Sequence, residues 1–470
     1  MKRLLNSLNN IWSFVILFAF LIVGLLLILP LYNIFVSSFI DNETGSFTLQ
    51  NYIDILGKGY YRKAIYNSIF VGFSSMFGAL LIGIPLAFFT TRFKIRGKSV
   101  ISTLAILALV SPPFIGAYAW ITMLGSNGWL RHGFESIGIP MPTIYGPLGM
   151  IIVFSLKLYP FVYLLTSGAL SNINSSLEDA AESLGYPPFS KFIHVTLPLI
   201  LPAISTGALL AFVLSLADFG TPSIIGRDFS VLSTVAYNLF TSEMGGNPGL
   251  ASTVSILLIL VSLIFVYMQR IVIRNKDFGS DMLNPPEIKK LTRLTTIPVH
   301  FLCYFIVFLS SLPSIVVIYN SFRNTSGPVF QSGFGLDSYR KVINNVPEAI
   351  FNSFLFSASA VILIVLCGTL ISYVVARKPS ILTGSLDSML MIPYIVPGVV
   401  LGLGFIVSFN SKPVVLTGTA IIIILVIFIR RLPYSVRSGV SILKQINIGI
   451  EDAAASLGSG PAKTFVKITL

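Results

Sequence analysis

Residues 11–29, IWSFVILFAFLIVGLLLIL, contain no charged side chain. A helix that crosses the hydrocarbon core of a bilayer needs roughly 20 mostly apolar residues, and this stretch is long enough. The composition agrees, because hydrophobic residues make up 54% of the chain and charged residues 10%, against about 25% in soluble proteins. The sequence therefore predicts an all-α integral membrane protein whose first span is not cleaved.

The basic residues are concentrated in short segments between apolar stretches. A net charge of +13 could indicate nucleic-acid binding, but polytopic membrane proteins also accumulate Lys and Arg in their cytoplasmic loops. The tracts 92–98, 270–293 and 377–378 are therefore predicted to be cytoplasmic, together with the N-terminus. We expect the lipid bilayer as a partner and no nucleic acid.

Ten apolar segments are predicted to span the membrane. They are residues 12–38, 64–91, 99–124, 146–169, 196–217, 250–270, 297–320, 349–376, 384–408 and 414–430.

The second half of the chain repeats the first. Residues 64–68, AIYNS, match residues 349–353, AIFNS, and the same offset of 285 positions relates Arg92 to Arg377. Farther along, the offset falls to 273 because the first half has a longer outer loop. Such ordered matches predict a duplication.

The repeat predicts two homologous six-helix units. The first covers residues 1–275, a polar cytoplasmic linker covers 276–296, and the second unit covers 297–470. Two further spans should follow Leu470, because the first half continues beyond the matching position. We therefore expect the second unit to be C-terminally incomplete.

A short polar segment occurs once in each half. Residues 177–185 read LEDAAESLG and residues 450–458 read IEDAAASLG, 273 positions apart. Acidic residues in the first turn suit the helix dipole, and the small alanines leave a low surface that another protein can approach. Each segment is predicted to be a short cytoplasmic helix.

Both ends of these helices carry capping signals. Ser175 with Glu178 has the spacing of a capping box. Gly185 and Gly458 suit the left-handed residue that follows a helix.

The two copies resemble the EAA loop of binding-protein-dependent ABC importer permeases, E-A-A-x(3)-G-x(9)-I-x-L-P. Asp179 and Asp452 replace the leading Glu, and Val195 replaces the Ile in the first copy. The resemblance implies the ABC type I importer permease fold, with each loop seated in an ATPase subunit. The residues that it assigns to ATPase coupling are Glu178, Asp179, Ala180, Ala181, Gly185, Glu451, Asp452, Ala453, Ala454 and Gly458.

Two such loops in one chain resemble the fused permeases of ferric-iron transport. Residues 216–226, LADFGTPSIIG, resemble that branch as well. The resemblance implies a multi-pass permease of the bacterial cytoplasmic (inner) membrane that imports ferric iron. Its partners would be two copies of a cytoplasmic ABC ATPase subunit and an extracytoplasmic solute-binding protein. Thiamine, phosphonate or polyamine import remains an alternative.

Residues that could line the translocation pathway lie near breaks in the predicted spans. Lys157 and Arg430 occupy matched positions, where they could snorkel to the cytoplasmic end of a span or face the pathway. Prolines at 112–113, 393 and 397 should break the third span of each half, as is tolerated beside a cavity. The pathway candidates are Lys157, Pro113, Asp218, Pro397 and Arg430.

The sequence offers no catalytic or cofactor-binding set. Gly97-Lys98-Ser99 resembles the end of a P-loop, but Arg92 stands where the first glycine would be needed. The three histidines are scattered, which argues against a metal site. We expect no enzymatic activity and no cofactor in this chain, with ATP bound by the partner subunits. A secondary transporter is the alternative from another class.

Overall fold

The computed structural model describes residues 11–242, 246–273, 288–327 and 329–470. Most of the chain is helical. The helices up to the predicted linker are α1 Ile11–Ser37, α2 Gln50–Gly57, α3 Gly59–Arg92, α4 Lys98–Val110, α5 Pro113–Leu124, α6 Trp129–Ser136, α7 Pro147–Ser171, α8 Ser175–Ser183, α9 Pro188–Ala217, α10 Gly220–Ile225, α11 Leu232–Thr241 and α12 Pro248–Ile273.

In the described residues beyond the linker, nine α-helices and one hairpin follow, and a π-helical turn, Phe465–Thr469, continues the last helix. They are α13 Arg293–Ser321, strands β1 Arg323–Ser326 and β2 Val329–Phe334, α14 Asp337–Asn345, α15 Pro347–Arg377, α16 Ile381–Met389, α17 Ile392–Ile395, α18 Gly398–Ser408, α19 Ala420–Gln445, α20 Gly449–Ser456 and α21 Pro461–Thr464. The two strands pair antiparallel. Most of the predicted linker lies outside the described residues.

Seven of the described helices are long and apolar enough to cross a membrane, namely α1, α3, α7, α9, α12, α13 and α15. Two bent helix pairs raise the number to nine if each pair forms one span. The tenth predicted segment, 414–430, is shifted. Its helix α19 begins at Ala420 and is not among these candidates, because Arg430, Arg431 and Arg437 lie within it.

The predicted breaks in the third span of each half are confirmed. Helix α4 ends before Pro112, and the chain bends by 103° there. The matching break precedes Gly398 and bends by 109°. Proline lacks a backbone N–H and disfavours the helical conformation of the preceding residue. Accordingly, Ser111 and Val396 both have extended ψ angles.

The described contacts divide the chain into two compact units. The terminal unit combines Met1–Thr48 with Asn344–Leu470, and the central unit is Leu49–Ile343. Helix α1, the first helix of the N-terminal half, thus belongs to the terminal unit. Helix α13, the first helix of the C-terminal half, belongs to the central unit. The boundaries predicted from the repeat concern sequence similarity and stay a prediction.

The core of the central unit is built around α7. Tyr159, Tyr163 and Phe154 of this helix are its largest fully buried side chains. Gly83 of α3 lies against Val162 of α7, and a Cβ on Gly83 would be 2.8 Å from the Val162 Cβ. Glycine at such a contact lets two helix backbones approach closely.

The terminal unit repeats this contact between α15 and α19. Gly368 packs against Ser435, and a Cβ on Gly368 would be 2.7 Å from the Ser435 Cβ. Gly368 lies 285 positions after Gly83, and Ser435 lies 273 positions after Val162. The contact between Gly83 and Val162 in the central unit therefore has its counterpart in the contact between Gly368 and Ser435 in the terminal unit.

Helix α1 is held in the terminal unit by an aromatic cluster. The rings of Trp12 and Tyr373 have centroids 4.3 Å apart, and Phe465 lies 5.0 Å from Tyr373. At the other end of α1, Asn33 donates a hydrogen bond of 2.9 Å to Ser408. Helix α1 is thereby packed against the last third of the chain.

Candidate functional site

The two short polar helices predicted from sequence are α8 and α20. Each ends at a glycine with a left-handed backbone, Gly185 at φ 83° and Gly458 at φ 82°. The amide of Tyr186 donates to the Ala181 carbonyl at 3.1 Å, and the amide of Gly185 donates to the Glu182 carbonyl. These are the two bonds of a Schellman motif. The predicted glycine caps are confirmed.

Helix α20 closes in the same way. Ser459 donates its amide hydrogen to the Ala454 carbonyl at 3.0 Å, and Gly458 donates to Ala455. No heavy atom would meet a Cβ on Gly185 or Gly458 within 4 Å. Glycine is therefore needed for the backbone conformation and not for space.

The predicted capping box of Ser175 and Glu178 is wrong. Helix α8 begins at Ser175, and the side chain of Asn174 accepts the amide hydrogen of Ser176 at 3.1 Å. The Glu178 carboxylate is turned away from the cap because a buried cation attracts it.

That cation is Arg92, the last residue of α3. Its Nη2 lies 2.7 Å from Glu178 Oε1, and Thr196 donates a hydrogen bond of 2.8 Å to the same oxygen. Only 9% of the Arg92 side chain and 16% of the Glu178 side chain are exposed. The ion pair fastens α8 to the end of a membrane helix.

The terminal unit contains the same anchor. Arg377, the last residue of α15, places its Nε 3.0 Å from Glu451 Oε1, and Tyr373 donates to Glu451 Oε2 at 2.9 Å. A second bond runs from Arg377 Nη2 to the Ile446 carbonyl at 2.9 Å. Both members of the pair are about nine-tenths buried. We call Arg92–Glu178 and Arg377–Glu451 the anchor pairs.

The remaining residues of the predicted coupling set differ in exposure. Asp179, Asp452, Ala180 and Ala453 are exposed, whereas Ala181 is buried and faces its own unit. The anchor glutamates are likewise turned inward. Their position makes them suited to holding the short helix, while the exposed members can contact another protein.

Each short helix also presents large apolar side chains to solvent. Leu184 is 79% exposed, and its repeat counterpart Leu457 is 90% exposed. Leu177 and its counterpart Ile450 are about half exposed. Apolar residues at matched positions on otherwise polar helices indicate a protein-binding surface. We call these four residues the docking residues.

Helix α8 carries one further ion pair. Lys191 Nζ lies 2.6 Å from Glu182 Oε2, and this ammonium lowers the pKa of the Glu182 carboxyl. Glu182 is largely exposed. The second copy has Ala455 at the matching position, so this pair is peculiar to the first.

Lys157 lies in the interior of the central unit. Its ammonium is 2.8 Å from Asp218 Oδ2, and the two side chains are 20% and 7% exposed. Asp218 Oδ1 also accepts the amide hydrogen of Thr221 at 2.8 Å. The snorkelling interpretation is wrong for Lys157, because the residue lies near the middle of α7 and is paired within the protein.

A small cavity of about 30 Å³ adjoins this ion pair. Pro113, Lys157 and Thr221 line it at the break between α4 and α5. The Thr221 hydroxyl is buried and has no hydrogen-bond partner in the structure. A cavity of this size holds one or two water molecules. Two pathway candidates, Pro113 and Lys157, therefore line this cavity, and a third, Asp218, is paired with Lys157 beside it.

Arg430 lies at the corresponding place in the terminal unit, beside the break that follows Pro397. The Arg430 guanidinium lies against Gly398, and a Cβ there would overlap it. The duplication thus places one basic side chain beside the broken span of each unit.

Sequence reasoning missed Arg92, Arg377, Thr196 and Tyr373. Arg92 and Arg377 were recognised as matching positions of the repeat. Their ion pairs could have been inferred from the sequence, because each half has a basic residue at the end of a membrane helix and an acidic residue in its short helix.

Residues 79–277 match the family described as binding-protein-dependent transport system inner membrane component. The ferric transport system permease protein FbpB of Actinobacillus pleuropneumoniae is 29% identical over 459 residues, covering 95% of this chain and 65% of the relative. The putative ferric transport system permease protein FbpB 1 of Haemophilus influenzae is 28% identical, covering 96% and 72%. This chain therefore spans about two thirds of the length of these relatives.

A solved bacterial ABC transporter involved in the import of the acidic polysaccharide alginate is 18% identical, with a TM-score of 0.48. The alignment covers 59% of this chain and all of that one.

The predicted resemblance to the binding-protein-dependent permeases is confirmed, as is the all-α membrane fold class. Within the described ranges, no three His, Cys, Asp or Glu side chains are grouped as a metal site needs. The expectation that the chain itself holds no cofactor stays a prediction.

Proposed function

We propose that this chain forms the membrane pathway of an ATP-driven importer and couples to cytoplasmic ATPase subunits through α8 and α20. The observation that carries this proposal is the duplicated short helix, with its anchor pair and docking residues. A secondary transporter has no need for two such surfaces.

The anchor pairs suggest how motion passes into the membrane. A rigid connection is required if movement of an ATPase subunit is to tilt a span instead of bending a loop. Arg92 and Arg377 are the last residues of α3 and α15, so each short helix is fixed to the end of a long membrane helix. We expect two ATPase subunits, each engaging one short helix, and ATP bound only by them.

The broken third spans are the proposed lining of the pathway. Backbone that leaves the helical conformation within a membrane is tolerated where it faces a cavity. In the central unit, the break adjoins the cavity beside Lys157. The opposite end of the pathway would receive solute from an extracytoplasmic binding protein, and the N-terminus would lie in the cytoplasm of a bacterium.

Ferric iron is the cargo that we propose. The two relatives described above are named ferric transport permeases and match nearly the whole of this chain. Thiamine, phosphonate and polyamine are the alternatives within the same permease class.

The docking residues provide the test of ATPase coupling. Replacing both Leu184 and Leu457 with Asp should weaken the association of each ATPase subunit by roughly 30-fold, because each subunit then loses one central apolar contact of about 2 kcal/mol. Binding of purified ATPase to the full chain in nanodiscs would be measured.

Ile381→Asp is the matched control for this experiment. Ile381 is 91% exposed at the start of α16 and lies outside the short helices. It should leave ATPase binding unchanged. Unaltered binding by the Leu184→Asp/Leu457→Asp chain would contradict docking through these helices.

The cargo is tested by uptake in a strain that lacks this chain. Under iron limitation, loss of the chain should abolish the high-affinity part of radiolabelled ferric-iron uptake, and uptake should depend on ATP and not on the proton gradient. Uptake of thiamine, phosphonate and spermidine would be measured in parallel. Normal iron uptake together with a defect in one of these would reassign the cargo, and dependence on the proton gradient would favour the secondary transporter.

A further inference from the structure

The turn between α3 and α4 is fixed to the beginning of α13. The Tyr304 hydroxyl donates a hydrogen bond of 2.8 Å to the Arg96 carbonyl, and the Arg96 amide donates to His300 Nε2 at 3.2 Å. The Lys94 amide donates to the Lys289 carbonyl at 3.0 Å. The shape of the surface at this turn is therefore set by hydrogen bonds between three parts of the central unit.

These contacts form the wall of a groove of about 760 Å³. Its lining includes three basic residues, Lys94, Arg96 and Lys290, which we call its basic edge. It also includes Ile297, Phe301 and Tyr304 of α13, which we call its floor. We call it the basic groove.

The floor of the basic groove continues along α13 as an apolar stripe. Ile297 is 77% exposed and Phe301 is 68% exposed, and Phe305 and Phe308 follow on the same helix at about half exposure. Residues spaced by three and four positions lie on one face of a helix. The groove therefore opens onto a continuous apolar face of a membrane-spanning helix.

The basic edge carries positive charge that no described carboxylate neutralises. In the described ranges, the side chains of Lys94, Arg96 and Lys290 form no ion pair. The His300 ring adds no competing acceptor, because its Nε2 accepts the Arg96 amide hydrogen and its Nδ1 lies 2.7 Å from the Thr296 carbonyl. An anionic group would thus meet three cations.

The basic groove lies on the same side of the membrane as α8. Lys289 is hydrogen-bonded to Arg92 through their backbones, and Arg92 forms the anchor pair with Glu178. This is the side that the distribution of Lys and Arg predicts to be cytoplasmic, where anionic lipid head groups attract basic residues.

We propose that the basic groove binds an anionic phospholipid. The phosphate lies between Lys94, Arg96 and Lys290, and an acyl chain follows Ile297 and Phe301 along α13. Free phosphate would use only the cations and would leave the apolar floor without a partner, so the lipid accounts for both the charged and the apolar part of the groove. The proposal does not depend on the cargo or on the ATPase.

The test compares lipid binding to the full, detergent-solubilised chain by native mass spectrometry. Dioleoyl phosphatidylglycerol and dioleoyl phosphatidylcholine would be titrated separately. The triple variant Lys94→Gln/Arg96→Gln/Lys290→Gln should bind phosphatidylglycerol at least about tenfold more weakly, since each basic residue near a lipid surface contributes a several-fold factor. Binding of phosphatidylcholine should not change.

The control variant Arg62→Gln/Lys63→Gln/Lys341→Gln removes the same charge from exposed positions outside the groove. It should keep the preference for phosphatidylglycerol. Equal affinity of the unmodified chain for both lipids, or equal weakening in the two variants, would overturn the proposal. Displacement of the lipid by millimolar inorganic phosphate would also overturn it and would show a simple anion site.

Discussion

Replacing Glu178 with Gln is expected to uncouple ATP hydrolysis from transport and to destabilise the central unit. The substitution leaves the Arg92 guanidinium buried without its counter-charge, and breaking a buried ion pair in this way costs about 3–5 kcal/mol. We expect a lower thermal unfolding midpoint and several-fold more ATP hydrolysed per solute transported. Both would be measured in proteoliposomes with the ATPase subunits.

Glu182→Gln is the matched control, because Glu182 lies on the same helix and also forms an ion pair. Its carboxylate is largely exposed, and exposed ion pairs contribute little to stability. The control should unfold and transport like the unmodified chain. Equal behaviour of the two variants would contradict the anchoring role of Glu178.

The second anchor pair allows the same experiment to be repeated at an independent site. Glu451→Gln should reproduce the effect in the terminal unit, because Arg377 loses its counter-charge and only one of the two acceptor oxygens used by Arg377 and Tyr373 remains. Reversing the charges, as Arg92→Glu with Glu178→Arg, should restore part of the coupling. A purely structural defect would instead lower the amount of folded protein without changing the ratio of ATP to solute.

The sequence predicted local features of the fold well because each depends on few residues. Proline at 112–113 and 397 acts on its own neighbours, so both breaks could be located. The caps at Gly185 and Gly458 depend on a single backbone conformation. Apolar length predicts ten spans, and nine of these segments are candidate spans in the structure when each bent pair counts as one. Helix α19 is the exception because it contains three arginines.

Tertiary partners could not be predicted from spacing in the same way. The motif Ser175-x-x-Glu178 satisfies the local rule for a capping box, but Arg92 lies 86 positions earlier in the chain and attracts the carboxylate. For Lys157 the sequence leaves open whether the side chain snorkels to a membrane surface or faces the pathway, because Asp218, its partner, is distant in sequence. The placement of α1 beside α15 likewise depends on the ring contacts of Trp12.

The repeat partly overcomes this limitation. Two offsets relate Gly83 to Gly368 and Glu178 to Glu451. The contact of Gly83 with Val162 and the ion pair of Arg92 with Glu178 both recur between the counterpart residues of the terminal unit. Two oppositely charged residues of the first half can therefore be predicted to be in contact when both have like-charged counterparts in the second half, one at each offset. Arg92 with Glu178 meets that criterion.

Replacing Gly185 and Gly458 with Val is expected to uncouple transport while leaving membrane insertion intact. Both positions have φ near 82°, and the left-handed conformation costs an L-residue about 1–2 kcal/mol, more for a β-branched one. The Schellman bonds that end α8 and α20 would be lost, and the docking residues Leu184 and Leu457, which immediately precede the glycines, would change direction. Solute transported per ATP hydrolysed would be measured and should fall several-fold.

Two further substitutions isolate the backbone conformation as the cause. Asn adopts the left-handed conformation more readily than Val, so Gly185→Asn should retain most of the coupling although its side chain is of comparable size. Gly384→Val, at a helical glycine that likewise has no neighbour within 4 Å of a Cβ, adds the same side chain without a positive φ and should leave coupling unchanged. If the backbone conformation is the cause, Gly384→Val and Gly185→Asn should lie near the unmodified chain, and Gly185→Val and Gly458→Val should lie well below it. Wild-type coupling in both valine variants of the caps, or equal damage by Asn and Val, would contradict it.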